Sequence, residues 1–169
     1  MKKGYGSQKG AAFERRIAKE LSLWLSGGKD DGYLWRTHAS GSLGTRSNKP
    51  TEFGDIMSIR DEGRSLTSEY NIECRHGKCI KIRDLVYLPA KSSMVQFIEE
   101  GELNAKLSNR KPLWIFREQG APIMVMMHVL DLLRSTLQVK ISIMLPEQML
   151  AVVKFDEWKR CFKVGEGVK

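Results

Sequence analysis

Two carboxylates stand in segments that otherwise suit burial. Asp55 follows a glycine and opens the alternating segment DIMSI, residues 55 to 59, and Glu73 lies inside the apolar run NIEC. A carboxylate inside a strand suited to burial is costly unless something compensates its charge. Adjacent strands can bring two such groups together, and they then repel unless a proton or a cation sits between them. Mg2+ takes one or two carboxylates plus waters and phosphate oxygens, so the pair reads as a metal site. The same spacing also suits two solvated carboxylates on an edge strand. Arg75 is two residues beyond Glu73, which puts both on one face of the strand and Cys74 on the other. A cation there can hold a phosphate or balance developing charge, or serve as an ordinary ion-pair partner.

Glu14 is a third carboxylate. In GAAFERRIAKELSLWL it is in line with Ala18, Leu21 and Leu25, at the border of an apolar helical stripe. It is either turned partly inward or paired with a neighbouring Lys or Arg. The segment RTHASGSLGTRSNK carries Ser40, Ser42, Arg46 and Lys49, with Gly41 and Gly44 between them. Hydroxyls, cations and glycines in one loop can meet phosphates, and an ordinary surface loop has the same composition. Cys74, His76 and Cys79 supply three ligands without a matching pair, an incomplete zinc pattern. His38 borders the loop, His128 sits in an apolar run that suits a core histidine, and PIMVMM reads as core filling.

The elements that must hold these groups follow from periodicity. Phe13, Ile17, Leu21 and Trp24 predict a first helix, stopped by Gly27-Gly28. Strands are predicted at 33–37, 55–59 and 69–75, with a long loop from 39 to 54 and a turn at Asp61–Gly63 joining the second and third. A helix is predicted over 91–100 and strands over 112–116 and 122–129 around Gln119-Gly120. VLDLLRSTL reads as helical, followed by a strand near 150–155 and a short helix, DEWKRCF. This order predicts an α/β sandwich with a mixed sheet.

The bulk composition agrees with that chemistry. The chain has 169 residues, 41% apolar, and reads as one domain spanning 1–169. Lys and Arg number 28 against 20 Asp and Glu, a net charge of +8, which is the balance of a nucleic-acid binder though not unique to one. Three cysteines form no disulfide framework, which indicates a reducing compartment. The start, MKKGYGSQKG, lacks the apolar core of a signal peptide, and no apolar run reaches membrane-spanning length. A soluble cytoplasmic protein with no membrane partner is expected.

In order, KGAAFERRIAKEL, WRTHASGS, GDIMSI and NIECR resemble the motifs of archaeal-type Holliday junction resolvases and related phage nucleases of the PD-(D/E)XK superfamily. The resemblance covers residues 9–75 and extends to about 128. It implies a restriction-endonuclease-like core, a mixed β-sheet flanked by helices, in a single nuclease domain. Glu14 stands at the family's first-helix glutamate and Ser40 at the first serine of its loop. Asp55 stands at the aspartate of the PD element, with Gly54 where a proline is frequent, and Glu73 at the glutamate of the E-x-K element. Arg75 stands where the family has its catalytic lysine, and Gln96 loosely matches a helical glutamine near such sites.

The implied activity is Mg2+- or Mn2+-dependent hydrolysis of DNA, on branched DNA, by a homodimer, in a prokaryotic cell or a phage-infected host. Asp55, Glu73 and the main-chain carbonyl of Cys74 would hold the ion. Glu14 would complete the site or orient a water, and Ser40 would lie near the cut. Lys9, Arg36, Ser42, Arg46, Lys49 and Lys78 would contact DNA. Arginine cannot deprotonate to act as a base, so Lys78, Lys81 or Lys91 is an alternative source of the missing ammonium. Two rival readings stand beside this one: a nuclease for linear duplex, and a non-catalytic DNA-binding protein that kept the fold.

Overall fold

The computed structural model describes residues 5–37, 53–135 and 139–162. Helix α1 spans Tyr5–Leu25. Strands β1, Leu34–Arg36, and β2, Ile56–Ser58, pair antiparallel in a sheet of their own. Helix α2, Asp61–Thr67, precedes β3, Tyr70–Gly77. Then come α3, Arg83–Tyr87, α4, Ser93–Ser108, β4, Lys111–Glu118, β5, Met124–His128, and α5, Val129–Ser135. Strands β6, Ile143–Leu145, and β7, Leu150–Lys154, lead into α6, Phe155–Cys161. The main sheet has the order β3-β4-β5-β7-β6. Its β3–β4 pair is parallel and the rest antiparallel, so the mixed α/β sheet expected from the element order is present.

Strand alternation divides the core in two. Ile72, Cys74, Leu113, Ile115, Val125, Met127 and Val153 face α1 and α6, where they meet Phe13, Ile17, Leu21, Phe155 and Trp158. Trp114, Phe116, Met124, Met126 and Val152 face the other way, onto Met94 and Phe97 of α4 and Leu85 of α3. Met124, Met126 and Met127 are buried, the core filling that PIMVMM suggests. Among the described residues, no helix is long and apolar enough to cross a membrane.

Two expectations are corrected. The segment Asp61–Gly63 does not turn a hairpin; it opens α2, whose Leu66 is fully buried against the α1 layer. Asp and Glu complement the positive end of a helix as readily as they suit a turn, so the local chemistry did not separate the two. Strands β2 and β3 are therefore not a hairpin pair, and Asp55 lies one residue before β2 rather than within it. The predicted 91–100 helix runs on to Ser108, straight through Gly101. That glycine is not a stop: a Cβ there would overlap the indole of Trp114, whose Nε1 donates to the carbonyl of Phe97 at 3.1 Å. A bare backbone lets α4 sit closely on the sheet. Helix α3 and strand β6 have no counterpart in the periodicity.

Candidate active site

Strand β3 is an edge of the main sheet, and the site is built around that edge. Gly54 meets it first, with φ +83°, and a Cβ there would come 2.9 Å from Asn71 Oδ1 and 3.0 Å from the Ile72 carbonyl oxygen. Proline is locked near φ −65° and cannot take this conformation, which explains a glycine where the resemblance has a proline. The close approach delivers Asp55 to the strand. Its amide donates to the Ile72 carbonyl at 2.7 Å, and its Oδ2 accepts from the Cys74 amide at 2.8 Å. Asp55 thus satisfies part of an edge that would otherwise face solvent. The N–H and C=O of one strand residue point the same way, so the Cys74 carbonyl also faces this edge.

Glu73 projects on the α4 side. Its Oε1 accepts from Asn71 Nδ2 at 2.8 Å and from Asn104 Nδ2 at 2.9 Å. Burial, and then the charge of Asp55, push its carboxyl up to about 7, against the opposing pull of the Asn104 and Asn71 amides and of Arg75. The two amides hold the group in place without neutralising it. Arg75 pairs with Glu100 at 2.5 Å, and its guanidinium lies 4.7 Å from the Phe97 ring centre.

Glu14 comes from α1 on the opposite side. It is 9% exposed and accepts from Arg36 Nε at 2.9 Å, so it is both turned inward and ion-paired. The Cys74 thiol, buried among them, is held well above its ordinary range by burial and then by Asp55, Glu14 and Glu73. All three carboxylates and Arg75 line one cleft of about 500 Å³, with Gly10, His76 and Asn104 among its other walls. His76 stacks on Phe13 at 5.2 Å between ring centres. Burial, then Arg117, Lys9 and Arg16, hold it below the usual imidazole range.

The placement of the remaining sequence candidates is mixed. Ser40, Ser42, Arg46, Lys49 and His38 lie outside the described residues. Arg36 faces Glu14 rather than open solvent, while Lys9 and Lys78 are exposed. Gln96 is exposed on α4 and does not line the cleft; the α4 amide that does is Asn104. His128 is half-buried and pairs with Glu102 at 3.0 Å. Sequence reasoning missed Asn71, Asn104 and Glu100. Asn71 was recoverable, because it stands two residues before Glu73 on the same strand face. Asn104 required knowing that α4 passes Gly101, whereas Glu100 lies in the expected helix and pairs with Arg75 only once α4 is placed on β3.

A family model described as phage putative PDDEXK endonuclease matches residues 5–165. The chain belongs to this family of PD-(D/E)XK nucleases. The match spans both sheets and every helix named above, so the mixed sheet flanked by helices is a restriction-endonuclease-like core. No curated protein and no solved structure shows a significant match.

The donor chemistry of this nuclease can be tested against a divalent ion. Among the described residues, no three His, Cys, Asp or Glu side chains could hold an ion together. The arrangement offers two carboxylates and a main-chain carbonyl, all hard oxygen donors, which fits Mg2+ or Mn2+ rather than zinc. A carboxyl that burial, and then the charge of Asp55, push up to about 7 belongs to a site short of positive charge.

That shift carries a stability consequence. Glu73 has an ordinary pKa of 4.5 and a folded value of about 7. Between those values the folded state keeps a proton that the unfolded state releases, so stability falls as pH rises from 4.5 through 7. Glu73→Gln removes that loss and keeps Oε1 for both asparagines. In EDTA its Tm is expected to exceed wild type by several degrees at pH 8, on the order of 1–3 kcal/mol, and the gap should close near pH 5. Adding Mg2+ at pH 8 should raise the wild-type Tm and leave the variant's unchanged. A pH-independent gap would remove the buried-charge account.

Proposed function

We propose that the chain is a divalent-metal-dependent DNA endonuclease, selective for branched DNA and acting in the cytoplasm as a homodimer. The observation that carries the nuclease chemistry is the convergence of Asp55 and Glu73 across the β3 edge, with Glu73 pushed up to about 7. Asp55, Glu73 and the Cys74 carbonyl would hold Mg2+ or Mn2+, which supplies Lewis acidity toward the phosphate and acidity to a water. The chain's own residues do the rest. The Cys74 amide fixes the Asp55 carboxylate, and Asn71 and Asn104 fix Glu73. Arg75 turns from Glu100 to a non-bridging phosphate oxygen and balances charge in the transition state. Glu14, restrained by Arg36, closes the cleft on the α1 side and orients a water. Ser40 and Ser42, with Arg46, Lys49, Lys9 and Lys78, meet the DNA backbone.

Selectivity for branched DNA rests on the resemblance over residues 9–75 and on the basic, glycine-rich sequence that carries Ser40, Ser42, Arg46 and Lys49. Binding should be tighter to a four-way junction than to a duplex of equal length, and should weaken steeply with salt. Fluorescence anisotropy of both DNAs at several salt concentrations checks this. Equal affinities at physiological salt would remove the branched-DNA reading and leave a nuclease for linear duplex. The ion pair of Arg75 with Glu100 favours one rival, a DNA-binding protein that kept the fold without cleavage. Cleavage that requires a divalent ion separates the two.

A further inference from the structure

A second cavity, of about 420 Å³, lies where β4 and β7 end and is lined by Arg16, Arg117, Lys154 and Arg160 among others. It neighbours the active-site cleft across the β3–β4 pair. His76, which lines the cleft, is the in-register partner of Arg117, which lines the second cavity. The cavity also contains Glu20, Asp156 and Glu157, but each is already in an ion pair: Glu20 with Arg16 and Lys159, Asp156 with Lys159, Glu157 with Arg160. Among the described residues, neither Arg117 nor Lys154 is in an ion pair, and Arg117 Nε donates only to the Ala121 carbonyl, at 2.9 Å. The charge left over is positive.

We infer that one DNA strand leaves the cleft along this path, its phosphates passing His76, Arg117 and Lys154. The inference rests on the nuclease reading above and adds where the flanking DNA lies. Between β3 and β7 there are three strand spacings in the sheet order, roughly 14 Å at about 4.8 Å each. With phosphates advancing about 3.4 Å along one strand, that length serves roughly four nucleotides. Cations without carboxylate partners at a cleft mouth suit a polyanion read by its backbone, with no base recognition.

The test compares two variants that lose equal charge. Arg117→Gln with Lys154→Gln lies on the path; Arg83→Gln with Lys106→Gln lies on the exposed surfaces of α3 and α4. Anisotropy is measured with a duplex carrying long arms, over a salt series, in EDTA, and cleavage is measured separately in Mg2+. The path variant should bind about tenfold more weakly, and its slope of log affinity against log salt should fall by about two. The control variant should match wild type. Lys154→Glu alone, at an exposed position, should weaken binding in the same direction if the double variant misfolds. Equal losses in path and control variants, or none in either, would overturn the path while wild-type binding and cleavage leave the nuclease reading standing. Wild type that binds no DNA, yet holds an acidic peptide in this cavity, would overturn both.

Discussion

Asp55→Asn and Glu73→Gln are each expected to abolish DNA cleavage while leaving the fold and DNA affinity near wild type. The reason is the geometry at the β3 edge. Asparagine at position 55 can still accept from the Cys74 amide through its side-chain oxygen, which Asp55 does at 2.8 Å. Glutamine at position 73 can still accept from Asn71 and Asn104. What each variant loses is one negative charge from the only pair of carboxylates proposed to hold the ion. Several kcal/mol of transition-state stabilisation then disappear, a loss on the order of 10³-fold or more. Single-turnover cleavage in Mg2+, read beside anisotropy on the same DNA, checks this. A variant that still cuts near the wild-type rate would remove Asp55 and Glu73 from the chemistry.

Arg75 carries the second large effect. Its guanidinium shares the cleft with Glu73 and is held by Glu100 and the Phe97 ring. An arginine supplies fixed charge and planar donors but no proton exchange. Arg75→Ala should therefore cost on the order of 10²-fold in cleavage, comparable to removing one transition-state donor. Arg75→Lys should keep much of the activity or raise it, because lysine stands there in the family that the motifs resemble. If wild type is inactive with every DNA and metal, and Arg75→Lys gains activity, the chain is the non-catalytic binder. An active wild type with an equally active Arg75→Ala would place the working cation elsewhere, with Lys78, Lys81 and Lys91 next to test.

Much of this architecture is legible in the amino-acid sequence, and what is not has physical causes. The α1 stripe of Phe13, Ile17 and Leu21 is strongly periodic, and these residues are all buried. The β4–β5 hairpin around Gln119-Gly120 and the terminal strand and helix follow the same rules. Two acidic residues before a glycine were read as a turn but open a helix. The helix expected over 91–100 runs on to Ser108 through Gly101, whose missing Cβ makes room for Trp114. The longer helix carries Asn104 beyond the expected boundary, while Glu100 lies within it at its last residue. Spacing identified the carboxylates but not how they meet. Asp55 reaches Cys74 through a positive-φ glycine packed on β3, a backbone event that side-chain periodicity does not encode.

Metal-dependent cleavage is measured by incubating the purified wild-type protein with four-way junction, flap, nicked and linear DNA in Mg2+, Mn2+ or EDTA. Cleavage products should appear with Mg2+ or Mn2+, most rapidly on the four-way junction, and vanish in EDTA. Cleavage that persists undiminished in EDTA, or no cleavage of any of these DNAs with either metal, would contradict it.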